Sequence, residues 1–127
     1  MRVLVLCTAN SARSQIAEAL LERIGNGRVV AKSAGSTPGS GPHPLAIEVL
    51  RERGIEWEGK TSKGIDAVAD EHWDLVITVC DAARDACPTL PGAKSLQWSL
   101  QDPATGDIEA FRAVADDLTR RINELLG

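Results

Sequence analysis

The stretch that decides the fold is MRVLVLCTANSARSQIAEALL, residues 1–21. Residues 2–6 are mostly aliphatic without polar alternation, which is typical of a strand buried on both faces of a parallel sheet. Apolar residues then recur at helical spacing from Ser14 to Ile24. A short loop therefore joins this strand to a helix, with Cys7 at its beginning and Arg13 close to its end.

Strand and helix patterns alternate along the rest of the chain. This alternation is typical of an α/β fold, and we expect a three-layer α/β/α domain with a four-stranded parallel sheet. Cys7 and Cys80 both follow predicted strands, so both should lie at the carboxyl edge of the sheet, where ligands bind in such folds. The patterns predict further strands at 28–32, 74–79 and 94–98, helices at 44–53 and 107–126, and a short helix within 61–70.

Length, charge and cysteine usage limit the possible classes of protein. The 127 residues predict a single domain over 1–127. A net charge of −4 gives no reason to expect a nucleic acid or a membrane as partner, and no apolar stretch approaches the ~18 residues of a membrane span. Three cysteines make a poor disulfide framework. We expect a cytoplasmic monomer.

The loop of residues 7–14 has the composition of an anion-binding cradle. Its backbone N–H groups can turn inward, the helix that follows presents its positive N-terminal end, and the Arg13 guanidinium can bind two oxygens of a tetrahedral oxyanion. The same positive field should lower the pKa of the Cys7 thiol and favour the nucleophilic thiolate. We expect the oxyanion-binding residues to be Thr8, Ala9, Asn10, Ser11, Ala12, Arg13 and Ser14.

Two of these residues have more specific expected roles, and the loop has a simpler interpretation too. Ser14 can donate a hydrogen bond to the thiolate, and Asn10 can bond the backbone or adopt a left-handed conformation. The simpler interpretation is that Cys7 is a buried small apolar residue and Arg13 a solvated helix residue.

The other two cysteines, Cys80 and Cys87, suggest a redox relay. Two unrelated buried thiols are one alternative. A zinc site is another, but it needs four ligands at short spacing, and the only histidines are His43 and His72. On a helix, Cys80 and Cys87 would lie roughly 10.5 Å apart along the axis, whereas a disulfide needs Cα atoms within ~7 Å. The segment must therefore rearrange when it is oxidised.

These motifs carry a family resemblance. The Cys-x5-Arg-Ser loop resembles that of the low-molecular-weight protein tyrosine phosphatase fold. Together with Cys80 and Cys87, the chain is most similar to the thioredoxin-coupled arsenate reductases built on that fold. The resemblance also covers SAG at 33–35, PHPLAIEVLRERGI at 42–55, TS at 61–62, DLVITVCDAARDACPTLPGAK at 74–94 and WSLQDPA at 98–104.

The resemblance implies a reaction. Cys7 would attack arsenate, and Asp102 would act as general acid; taken alone, Asp102 could equally be a loop-capping carboxylate. Cys80 would form a disulfide with Cys7, Cys87 would then form one with Cys80, and thioredoxin would reduce the Cys80–Cys87 disulfide. Phosphate or sulfate can occupy the same loop, and no cofactor is implied. A low-molecular-weight thiol could replace thioredoxin as reductant.

The resemblance also points to a potassium site that is found in some members of the family. Some reductases hold potassium with residues that map to Asn10, Glu18, Ser33 and an aspartate, which is Lys63 here. The Lys63 ammonium could replace the ion and pair with Glu18, or both could be ordinary solvated charges.

One alternative function is a tyrosine phosphatase. Against it, Ala104 stands where those phosphatases usually have an aromatic residue after the Asp-Pro. The other is a metal- or arsenite-sensing thiol protein, which would need neither Arg13 nor Asp102.

Overall fold

The computed structural model describes residues 1–79, 92–100, 103 and 106–127. No helix within these ranges is long and apolar enough to cross a membrane. The elements are β1 (Arg2–Cys7), α1 (Arg13–Gly25), β2 (Val30–Gly35), α2 (Pro44–Glu52), a 3-10 turn (Ile65–Ala67), β3 (Leu75–Thr78), β4 (Lys94–Gln97) and α3 (Ile108–Leu126).

The four strands form one parallel sheet in the order β2-β1-β3-β4. β1 lies inside the sheet between β2 and β3, which explains why Val3, Leu4, Val5 and Leu6 have no exposed surface. The α/β fold with a four-stranded parallel sheet, predicted from the sequence, is confirmed. Because all strands run the same way, their carboxyl ends, including Cys7, lie at one edge of the sheet.

The two faces of β1 enter two different apolar clusters. Val3, Val5 and Cys7 pack into the cluster that contains α1, α2 and α3. Leu4 and Leu6 pack on the opposite face against the segment that includes the 3-10 turn and Trp73. Since side chains alternate along a strand, Cys7 is placed on the face covered by the helices, close to the beginning of α1.

Two predicted elements differ from the observed ones. The strand predicted at 28–32 is β2 at Val30–Gly35, because β1 pairs with it as far as the register Cys7–Gly35. The helix predicted within 61–70 is reduced to the 3-10 turn, because the N–H of Lys63 and the hydroxyl of Ser62 bond to the loop after β1 instead of to a helix. Each of the other predicted boundaries lies within one residue of the observed one.

Candidate active site

The carbonyl groups of the loop after β1 point away from its centre. Four of them accept hydrogen bonds from backbone N–H groups of residues 36–43, which we call the collar. In a trans peptide unit the C=O and the following N–H point in opposite directions, so the N–H groups after these carbonyls face the inside of the loop. The bonds are Ser36 to Cys7 (3.1 Å), Thr37 to Thr8 (2.8 Å), Gly39 to Ala9 (2.9 Å) and His43 to Ser11 (2.8 Å).

Asn10 organises the inside of the loop through its backbone conformation and its hydrogen bonds. It adopts a left-handed conformation with φ of 54°. Its backbone N–H donates to the Cys7 Sγ over 3.1 Å. Its side-chain Nδ2 donates to the Ser14 Oγ (2.9 Å) and to the Ser33 Oγ (2.8 Å). Asn10 therefore fixes the loop backbone and the directions of two hydroxyl groups at once.

Cys7 lies where a nucleophile of this site is expected. It is 3% exposed, and its Sγ is 2.8 Å from the Ser14 Oγ. The Ser14 hydroxyl oxygen accepts from Asn10, and its own proton is available for donation to a Cys7 thiolate. The N-cap residue of α1, Ala12, offers no side-chain acceptor to the first N–H groups of that helix. These donors favour the thiolate form of Cys7.

Arg13 is the first residue of α1 and is half-buried. Its Nη1 donates to the carbonyl of Leu100 over 3.1 Å. The guanidinium is thereby held between the loop and the segment that leads to the predicted acid, Asp102. Asp102 itself lies outside the described residues.

Cys80 and Cys87, together with the helix expected between them, also lie outside the described residues. The chain reaches that segment at a defined place, because the N–H of Val79 donates to the Leu6 carbonyl over 2.9 Å. Val79 is fully buried, and its partner Leu6 precedes Cys7. The residue before Cys80 is thus anchored beside the residue before Cys7.

Glu18 is a buried carboxylate behind the loop. The Ser33 hydroxyl donates to its Oε1 over 2.6 Å, and the Lys63 Nζ lies 4.0 Å from the same oxygen. Burial raises the pKa of Glu18, while the hydrogen bond from Ser33 and the charge of Lys63 oppose that shift. The Lys63 ammonium thus pairs with the Glu18 carboxylate, which is one of the two alternatives considered from the sequence.

The residues implied for a potassium ion do not fit one in this chain. Asn10, Ser33 and Glu18 do lie together, but the Asn10 Oδ1 accepts from the backbone N–H of Lys63 (2.9 Å) and from Gln15 Nε2 (3.3 Å). The Lys63 ammonium supplies a positive charge at the carboxylate. Among the residues that the structure describes, no group of three or more His, Cys, Asp or Glu could hold a metal ion.

Sequence reasoning missed a distant segment that contributes to the site, and one residue of α1. The collar and Gly35 received no role, and Gln15 was not singled out. A Cβ at Gly35 would lie 2.4 Å from the Thr8 carbonyl oxygen, so this strand end must be glycine for the loop to approach it. The available signal was the run SAGSTPGSGPH at 33–43, whose glycine and proline content marks an irregular segment after a strand.

The fold and the site define a class of protein that presents a buried cysteine beside inward-facing loop N–H groups at the carboxyl edge of a parallel sheet. The chain belongs to the low molecular weight phosphotyrosine protein phosphatase family, which it matches over residues 2–127.

Relatives within this family are named as arsenate reductases. The chain is 38% identical over 120 residues to arsenate reductase 1 of Bacillus cereus, covering 94% of this chain and 89% of that protein. It is 32% identical over 127 residues to the glutaredoxin arsenate reductase of Synechocystis sp., covering 99% and 96%. The solved thioredoxin-dependent arsenate reductase of Corynebacterium glutamicum matches with a TM-score of 0.77 and 37% identity, covering 98% of this chain and 59% of that one. The family resemblance inferred from the sequence is confirmed.

Proposed function

We propose that this protein reduces arsenate to arsenite through Cys7, Cys80 and Cys87, with thioredoxin as the final reductant. The observation that carries the proposal is the position of the Cys7 Sγ, which receives the Asn10 N–H at 3.1 Å and lies 2.8 Å from the Ser14 Oγ inside an inward-facing ring of N–H groups. Such a loop suits a tetrahedral oxyanion with a thiolate beneath it.

The first step is nucleophilic attack by the Cys7 thiolate on the arsenic of arsenate. A sulfur–arsenic bond forms, and one oxygen leaves as water after receiving a proton from Asp102. Arg13 and the loop N–H groups bind the remaining oxygens and stabilise their negative charge. Arsenic remains pentavalent in this step.

The second step transfers two electrons. The Cys80 thiolate attacks the Cys7 sulfur, the sulfur–arsenic bond breaks, and its electron pair stays on arsenic, which leaves as trivalent arsenite. The Cys7–Cys80 disulfide that results is attacked at Cys80 by the Cys87 thiolate, which releases the Cys7 thiolate. Thioredoxin, a dithiol protein, then reduces the Cys80–Cys87 disulfide and returns the enzyme to its starting state.

The relatives support the reductase proposal over phosphate-ester hydrolysis alone, since their names describe arsenate reductases. The name of the Corynebacterium glutamicum protein supports thioredoxin as the reductant. The name of the Synechocystis protein makes glutaredoxin the reductant to test beside it. The family description makes aryl-phosphate hydrolysis a side activity to measure.

The test measures NADPH consumption with thioredoxin and thioredoxin reductase, with and without arsenate. We expect arsenate-dependent turnover by the wild type and none by Cys80→Ser, which should keep slow aryl-phosphate hydrolysis because that reaction needs only Cys7, Arg13 and Asp102. The matched variant Cys87→Ser should release about one arsenite per protein and stop at the Cys7–Cys80 disulfide. Wild-type turnover by Cys80→Ser would contradict the relay.

A further inference from the structure

The carbonyl of Asn10 is held differently from those held by the collar. Its two donors are side chains, Gln15 Nε2 at 3.0 Å and Ser62 Oγ at 2.8 Å. The Ser62 oxygen accepts the N–H of Gly41 over 3.0 Å, so its single hydroxyl proton is directed to Asn10. The orientation of this carbonyl therefore depends on side chains that can be replaced.

Gln15 is held in one orientation by a buried tryptophan. Gln15 is 1% exposed, and its Oε1 accepts the indole N–H of Trp57 over 2.9 Å. Since an indole nitrogen is a donor only, the oxygen end of the amide must face Trp57 and the NH₂ end must face the loop. That NH₂ group donates to the carbonyl of Asn10 and, over 3.2 Å, to that of Thr61.

The direction of the Asn10 carbonyl determines the direction of the next N–H. With the carbonyl turned outward to Gln15 and Ser62, the N–H of Ser11 points to the opposite side, into the loop. A rotation of this peptide unit would turn the Ser11 N–H away from the inside of the loop and break both hydrogen bonds to the Asn10 carbonyl. The two donors oppose that rotation.

We propose that Gln15 is a positioning residue that keeps the Ser11 N–H directed at the bound oxyanion. Trp57 fixes the orientation of the Gln15 amide, and Ser62 provides the second hydrogen bond to the Asn10 carbonyl. This inference rests on the proposed function in so far as the loop must bind an oxyanion. It adds to the site a residue that acts through the Asn10 carbonyl and a tryptophan that orients that residue.

The decisive variant is Gln15→Glu, with inorganic phosphate as the probe and calorimetry on the reduced protein as the measurement. The introduced carboxylate can still accept from Trp57, but its second oxygen faces the carbonyls of Asn10 and Thr61, so two acceptors oppose each other. We expect the phosphate dissociation constant at pH 8 to rise on the order of 10- to 100-fold, as for loss of a hydrogen bond to a charged group.

The pH dependence of this variant separates positioning from mere packing. When the introduced carboxyl group is protonated it can donate to the Asn10 carbonyl, so the variant-to-wild-type ratio of dissociation constants should fall towards one as the pH is lowered from 8.5 to 5.5. The ionisation of phosphate affects the dissociation constants of both proteins in the same way and therefore cancels in their ratio. A raised ratio that does not change with pH would overturn the proposal, because a packing defect has no proton to gain.

Two milder variants keep the test valid if Gln15→Glu does not fold. Ser62→Ala and Trp57→Phe should each weaken phosphate binding several-fold. Trp73→Phe is the matched control, because it deletes an indole N–H bonded to the Val68 carbonyl in the other apolar cluster, and it should leave phosphate binding unchanged.

If the wild type binds phosphate and Ser62→Ala and Trp57→Phe bind it equally well, the positioning role is wrong. If the wild type itself does not bind phosphate or arsenate, the proposed oxyanion site fails instead, and this second result is distinguishable from the first.

Discussion

Replacing Gly35 by alanine should disable the oxyanion loop while leaving the protein folded. The new Cβ would lie 2.4 Å from the Thr8 carbonyl oxygen and 2.9 Å from the Asn10 nitrogen, whereas ordinary contact begins at 3.4 Å. Both neighbours are backbone atoms, so neither can rotate away. The loop or the end of β2 must therefore move by about 1 Å.

That displacement has two consequences of different size. Overpacking of a well-packed site costs about 1–3 kcal/mol of the free energy of unfolding, partly offset by about 0.4–1 kcal/mol because alanine restricts the unfolded chain. For activity, a displacement of about 1 Å at a site that must hold a reacting group can cost roughly 100-fold. We therefore expect a modest loss of stability and a large loss of turnover.

Urea unfolding and phosphate calorimetry measure the two effects separately, and arsenate turnover measures the second in the proposed reaction. Gly64→Ala is the matched control, because Gly64 pairs with Gly35 in an isolated parallel bridge, has φ of −79° and would bring its Cβ to 3.7 Å from Pro38 Cγ. It should bind phosphate as the wild type does. Wild-type phosphate affinity in folded Gly35→Ala would refute the reasoning.

Three further predictions concern charges and a helix end. Burial holds the pKa of Glu18 above its ordinary 4.5 despite the charges of Lys63 and Lys60, and Glu22 adds to the shift. Between the ordinary and the raised pKa the native state therefore binds more protons than the unfolded state. The free energy of unfolding should fall as the pH rises through this range. Urea unfolding of Glu18→Gln should lack this fall; a pH-independent difference from wild type would contradict it. Since the Lys63 ammonium is present at Glu18, phosphate affinity should be equal in potassium and sodium chloride at one ionic strength, and a preference for potassium would show that an ion binds after all. Asp107 caps α3 through the N–H of Glu109 at 3.1 Å, so Asp107→Ala should cost about 1 kcal/mol in thermal unfolding and Asp107→Asn much less.

The parts of the fold that the sequence predicted well depend on local patterns. β1 and α3 were predicted within one residue, because a run of buried aliphatic residues and a three- and four-residue apolar spacing each indicate one element. β2 was placed wrongly because its last residues, Ser33, Ala34 and Gly35, are poor strand formers that pairing with β1 nevertheless includes.

The candidate site likewise contains local features that the sequence predicts and distant contacts that it does not. Cys7, Asn10 and Ser14 lie next to one another because they belong to one continuous strand, loop and helix, which the sequence pattern predicts. Ser62 was missed because its bond to Asn10 joins segments that are distant in sequence. Gln15 is close to Asn10 in sequence, but the orientation of its amide depends on the distant Trp57, and a single sequence contains no signal of such a contact.

The collar has a consequence for how this protein can change its sequence over time. The collar holds the loop through the main-chain N–H groups of Ser36, Thr37, Gly39 and His43. Every amino acid except proline provides such a group. The two prolines of the collar, Pro38 and Pro42, stand between those donors, where the loop requires no N–H. Side chains at collar positions such as Ser36 and Thr37 can therefore be exchanged, and the rim of the proposed site altered, while the main-chain geometry around Cys7 is inherited unchanged.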